Sequence, residues 1–144
     1  MSLALGHANC ICASFLCLGA LLISLAAVRT LCEGPWITCG DFNTNRIMGE
    51  RRGCNIISYI MSDFSWWIEK MELHDSHLNG GKFSWFRGIN HPSTTRLDRF
   101  LYSLEWEEIF KKIRQTLLPR VLSDHCPILL ESGKSQTLSL RISG

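Results

Sequence analysis

Three short polar strings place carboxylates and a histidine beside strand-like apolar runs: Gly40-Asp41-Phe42-Asn43, Leu97-Asp98-Arg99-Phe100-Leu101 and Ser123-Asp124-His125. Hydrolysis of a phosphodiester needs such groups. A water must lose a proton, charge on the phosphorane must be neutralised, and a metal ion commonly assists both. Gly40 permits close backbone approach at a strand end. Asp41 and Asn43, two apart on an extended segment, are expected on one side, so that a charged acceptor and an amide share a pocket. Asp98 lies inside an apolar strand, where an unpaired carboxylate is costly and a partner is expected. Asp124 and His125 are adjacent at a strand end, so their side chains diverge and can serve different partners. Each string alone also has a plain structural reading: an Asx turn, a solvent-facing Asp beside Arg96 or Arg99, a surface histidine. Their order and spacing together point to a shared site.

The elements that must position these groups can be read from periodicity. Residues 36–39 form a short buried strand that ends at Gly40. Residues 46–53 read as a polar loop. Over 55–71 the apolar residues Ile56, Ile57, Ile60, Met61, Phe64, Trp67, Ile68 and Met71 recur at spacings of three and four, which predicts an amphipathic helix. Asn79-Gly80-Gly81 is a turn signal, and predicts a hairpin between 73–78 and 82–86. Residues 96–102 read as the strand that bears Asp98. Ser103 is placed to cap a helix over 104–112, with Glu105 and Glu107 in its first turn and Lys111 and Lys112 in its last. An edge strand over 115–121, interrupted by Pro119, a last strand over 126–131 and a frayed tail over 132–144 complete the chain.

Charge is distributed unevenly. The 144 residues carry 15 Lys and Arg against 13 Asp and Glu, a formal net charge of +2 that neither demands nor excludes a nucleic-acid partner. None of these charges lies before Arg29. Residues 10–28 (CICASFLCLGALLISLAAV) are almost entirely apolar, and as a helix would span roughly 28 Å, close to a bilayer's hydrocarbon thickness. A spanning or anchoring helix is the first expectation. A signal peptide is the second, on Ala26 and Ala27, although the preceding residues lack Lys and Arg. A buried helix, or a stretch without function, is the third. The seven cysteines are irregularly spaced, with no Cys-x-x-Cys pair, so a structural zinc site is not expected.

The three strings, with Phe83-Ser84-Trp85, Ser103 and Trp106, and Pro127-Ile128-Leu129-Leu130, resemble the endonuclease/exonuclease/phosphatase superfamily, the deoxyribonuclease I-like fold. The nearest likeness is to its plant LINE-type retrotransposon branch, with Ser84 where Thr is usual. The resemblance runs from about Pro35 to Glu131 and covers roughly the later half of that domain. It implies an α+β fold: about half of a four-layer α/β sandwich, one mixed sheet with flanking helices, joined here to the N-terminal apolar helix. The expected organisation is therefore 1–34 as an apolar segment, 35–131 as a truncated nuclease domain and 132–144 as a tail.

The same resemblance implies roles. Asp41 would help activate the attacking water or handle the leaving oxygen, and Asn43 would hydrogen-bond the scissile phosphate. Asp98 would orient His125, His125 would contact the phosphate or act as acid–base, and Asp124 would lie near the metal. The implied cofactor is Mg²⁺, the implied partner DNA, and no small-molecule cofactor is implied. The earlier half of the family domain supplies an Asn and a metal-binding Glu, and nothing before Pro35 matches it. A Mg²⁺ ion held mainly by Asp124 would bind weakly, so a catalytically incompetent nuclease fragment is expected. The alternative is a small membrane-anchored or secreted protein that carries nuclease remnants, with residues 10–28 in the membrane. Family analogy points to the nucleus instead.

Overall fold

The computed structural model describes residues 2–5, 8–13, 18–89, 93–133 and 139–142. In chain order, β1 (Ser2–Leu5) and β2 (Ala8–Ala13) precede α1 (Leu18–Leu31) and β3 (Trp36–Asp41). A 3-10 turn at Met48–Glu50 leads to α2 (Tyr59–Lys70), β4 (Leu73–His74) and β5 (Leu78–Asn79). β6 (Trp85–Arg87), β7 (Ser93–Thr95), β8 (Asp98–Ser103) and α3 (Leu104–Ile109) follow, then β9 (Arg114–Leu117), β10 (Ile128–Glu131) and β11 (Ser139–Ile142).

The sheet order is β1-β2-β3-β8-β4 in one sheet and β11-β10-β9-β5 in a second, with β6 and β7 as a separate hairpin. This corrects the expectation of one mixed sheet. Strand alternation explains the layering. Ile37, Cys39, Phe100 and Tyr102 cluster with Leu78, Ile128 and Leu130 of the second sheet, with Trp106 of α3 and with Phe110, its C-cap. Trp36, Phe42 and Leu101 cluster instead with Phe64, Trp67 and Ile68 of α2 and with Leu21, Leu22 and Leu25 of α1. Helices, first sheet and second sheet therefore form successive layers around two apolar cores.

Gln115 joins the two sheets. β4 pairs with β8 only at Tyr102 and Ser103. At Phe100 the place of a neighbouring strand is taken by the buried Gln115 amide, whose Oε1 accepts from the Phe100 N–H (3.1 Å) and whose Nε2 donates to its carbonyl (3.3 Å). A central strand's backbone is thus satisfied without a full-length partner.

Several sequence expectations are revised. The helix expected over 55–71 begins at Tyr59, because Ser58 is the cap and its Oγ accepts from the Met61 N–H at 3.2 Å. Ile56 and Ile57 therefore precede the helix and are exposed, and Ile60, in its first turn, is exposed too. Asn79-Gly80-Gly81 does not close a hairpin: β5 runs parallel to β9, and β6 pairs with β7. Gly80 serves close approach instead: it has φ +87°, and a Cβ there would lie 3.3 Å from the Leu117 carbonyl oxygen. Part of the expected tail forms β11 against β10.

The largest revision concerns residues 10–28. No single helix covers them. β2 occupies Ala8–Ala13 and pairs in parallel with β3, while α1 starts at Leu18. No helix among the described residues is long and apolar enough to cross a membrane. Leu21, Leu22 and Leu25 are buried against α2 and β3, whereas Ile23 faces out at 74% exposure. Because α1 is a core helix, Leu25→Ala should cost about 2–5 kcal/mol in urea-monitored unfolding. Ile23→Ala should change stability by less than about 0.5 kcal/mol.

Candidate active site

At the end of β3 the chain turns sharply. Gly40 has φ +133°, and Phe42 donates its N–H to the Leu97 carbonyl (3.0 Å) while its ring stacks on Phe64 at 5.1 Å. Asp41 Oδ1 accepts from the Asn43 N–H at 2.7 Å, and Asn43 sits in the left-handed region at φ +57°. Asparagine tolerates that conformation better than most residues. Asp41 and Asn43 do line one cavity, but through this Asx turn rather than through strand alternation.

Asp98 is the first residue of β8, paired in register with Asp41 across the β3–β8 ladder. Its carboxylate is buried at 4% side-chain exposure. The fully buried Ser84 organises the backbone around it, its Oγ accepting the N–H of both Leu97 and Asp98 at 3.0 Å. Residues 124–126 are laid against β6 and the residue before it. Phe86 donates to the Asp124 carbonyl (2.9 Å), Cys126 donates to the Ser84 carbonyl (2.7 Å), and Trp85 and His125 form an antiparallel bridge. Ser123 Oγ accepts the His125 N–H at 3.1 Å. Ser84 therefore ties the two segments that carry Asp98 and His125 to each other.

The consequence is a tight pair. His125 Nδ1 lies 2.7 Å from Asp98 Oδ2, and Nε2 lies 3.8 Å from Asp41 Oδ2. With Nδ1 turned to Asp98, Nε2 is the ring nitrogen presented toward Asp41. Burial works against a charged imidazole. The hydrogen bond and charge of Asp98, with the charges of Asp41 and Asp124, outweigh it and raise the His125 pKa above its ordinary 6.5. Burial pushes the Asp98 carboxyl up from its ordinary value, an effect that His125 and Ser84 partly offset.

The cavity beside this pair holds about 610 Å³. Its polar side carries Asp41, Asn43, Asn45 and His125, and its apolar side Ile56, Ile60 and Met61. Asp124 is not among its described lining residues. That carboxylate accepts from the Trp85 indole N–H at 3.1 Å. Loss of surrounding water would raise its pKa, but the Trp85 bond leads the effects that bring it below the ordinary carboxylate value.

Asp41, Asp98 and His125 each present one donor atom within 4.8 Å of the others, a possible metal cluster. The donor chemistry does not suit a tightly held hard cation. Asp98 and His125 Nδ1 are committed to each other, and Asp41 is the one acidic side chain among the described residues that line the cavity. Mg²⁺ demands oxygen ligands in near-octahedral arrangement.

The sequence did not reveal how the charged residues beside the site are joined. Glu50, Asp75, Arg46, Arg96 and Arg99 form a connected ion network, in which Arg99 is fully buried and contacts Glu50 (2.8 Å) and Asp75 (2.6 Å). Burial would raise the Glu50 pKa, but Arg99, Arg46 and Arg96 bring it below the ordinary value. The available signal was Arg99 inside an apolar strand, which required acidic partners that spacing alone did not name.

A family model described as "Endonuclease/Exonuclease/phosphatase family" matches residues 17–125. The chain belongs to that family. Of the expected site residues, Asp41, Asn43, Asp98 and His125 converge, and the match to the endonuclease/exonuclease/phosphatase family takes in all of α1, well before the expected start near Pro35, and ends at His125. No curated protein matches the chain.

The sign of the His125 shift gives a measurable outcome. A histidine whose folded pKa is raised contributes stability fully below pH 6.5 and loses it as pH rises through the elevated folded value. Thermal melting across that window should show a fall in the unaltered chain that His125→Gln lacks.

Proposed function

We propose that this chain derives from the endonuclease of plant LINE-type retrotransposons and that its cavity receives a nucleic-acid phosphodiester. The observation that carries this reading is the Asp98–His125 hydrogen bond, with Asp41 opposite Nε2, at the mouth of a cavity lined by amides. The resemblance covers the later half of the domain, and Asp41, Asn43, Asp98 and His125 take the roles of its late catalytic residues.

In this reading Asp98 holds the imidazole by Nδ1 and stabilises its cationic form. Nε2–H then donates to a phosphate oxygen, or returns a proton to the leaving oxygen. Asp41 accepts a proton from the attacking water, and Asn43 supplies an amide hydrogen bond to the phosphate. The implied ion is Mg²⁺. With one acidic side chain facing the cavity, the described residues would hold it weakly, and we assign this chain binding without efficient cleavage. Asp124, the residue expected near the ion, keeps that place in this reading, with its carboxylate held by the Trp85 indole N–H.

The test is a plasmid and binding assay on the full chain. Bound DNA should be released as salt rises, and supercoiled plasmid with Mg²⁺ should stay intact over times in which an active nuclease nicks it. Nicking that disappears in His125→Ala would overturn the assignment of binding without cleavage. Failure to bind DNA at low salt would overturn the nucleic-acid reading itself.

A further inference from the structure

The ion network and the cavity meet in one short segment. Glu50 belongs to the network and is buried, while Arg51 beside it is exposed and lines the cavity. Among the described lining residues Arg51 is the one Lys or Arg. Several bonds fix this segment. Glu50 Oε2 lies 2.8 Å from Arg99 Nη2 and accepts the Arg46 N–H at 2.7 Å. The Glu50 carbonyl accepts the Arg96 N–H at 2.8 Å, Arg51 bridges to Thr95, and Arg52 N–H donates to the Thr94 carbonyl at 3.0 Å. Residues 50–52 therefore run as an added strand along 94–96, which borders the same cavity.

Chemistry separates the arginines of this region. Arg46, Arg96 and Arg99 are spent on Glu50 and Asp75. Arg52 is exposed and does not line the cavity. Arg51 alone of these faces the space beside His125, where a phosphate would need a permanent cation. We propose that Arg51 binds the substrate phosphate in this cavity and that Glu50 positions it. This rests on the nucleic-acid reading given above. Glu50 acts through its buried pair with Arg99, which anchors the turn, and so the backbone of Arg51, to the strand that carries Asp98.

The positioning role predicts a sign that simple electrostatics does not. Glu50→Gln removes one negative charge, so a general field effect would tighten binding of an anion. Loss of the anchor would weaken it.

The experiment measures anisotropy of a short fluorescein-labelled single-stranded DNA, without divalent ions, between about 50 and 200 mM salt. Arg51→Ala should weaken binding several-fold and make the negative slope of log K against log salt shallower by about 0.7, the share of one phosphate contact. Arg52→Ala, with the same change in charge, should leave both nearly unchanged. Glu50→Gln should weaken binding, and the double variant should bind no worse than Arg51→Ala alone. Equal losses from Arg51→Ala and Arg52→Ala would overturn the Arg51 assignment while leaving the nucleic-acid reading intact. Tighter binding by Glu50→Gln, or additive losses in the double variant, would overturn the positioning role. If Glu50→Gln does not fold, as its melting curve would reveal, the Arg51 and Arg52 comparison still decides the contact. An unaltered chain that binds no DNA would overturn both readings.

Discussion

A fully buried guanidinium in a central strand must be neutralised where it stands, and much of the architecture around the cavity follows from that need. Arg99 lies in β8 with no exposure, over the Phe64 ring at 5.3 Å. Its charge is answered by Glu50 from the turn after β3 and by Asp75 from the segment after β4. Buried ion pairs add little net stability compared with apolar packing, but removing one partner costs about 3–5 kcal/mol. The network therefore acts as a constraint rather than a reservoir of stability. It obliges two irregular segments to close on one point of β8, and one of those segments borders the cavity.

Alternation along β8 then separates two polar systems that adjacent residues generate. Phe100 and Tyr102 pack toward the second sheet and Leu101 toward the helices. Asp98 and Arg99 inherit the same alternation. Asp98 meets His125, which arrives on the segment leading into β10, and Arg99 meets Phe64 of α2. A direct Asp98–Arg99 pair would have left the histidine without its carboxylate. The strand geometry prevents it, so each charge finds a partner on its own side.

The local elements were largely legible in the sequence, and the reasons are physical. β3, β8, the Ser103 cap and β10 carry strong apolar patterning or capping chemistry, and all appear close to their expected places. Convergence of Asp98 and His125 was implied by the family resemblance that the three strings carry. What could not be read was pairing. Asn79-Gly80-Gly81 has the chemistry of a hairpin turn, yet Gly80 serves contact with Leu117 of β9. The approach of Glu50 and Asp75 to Arg99 joins positions 49 and 24 residues apart along the chain. No local periodicity encodes such a meeting.

The N-terminal segment shows the same limit from the apolar side. Nineteen residues without charge satisfy the arithmetic of a bilayer span. They satisfy the arithmetic of a parallel strand followed by a core helix equally well, because the interior of a fold excludes charge as a bilayer does. What separates them is where the backbone groups and one helical face find partners. Ala8–Ala13 finds them in β3, and Leu21, Leu22 and Leu25 find them in the core shared with Trp36 and Trp67. β3 ends in Asp41, so this apolar segment also supports the strand that delivers a carboxylate to the cavity. Hydropathy measures only the exclusion of water, whereas the roles of β2 and α1 depend on what lies beside them.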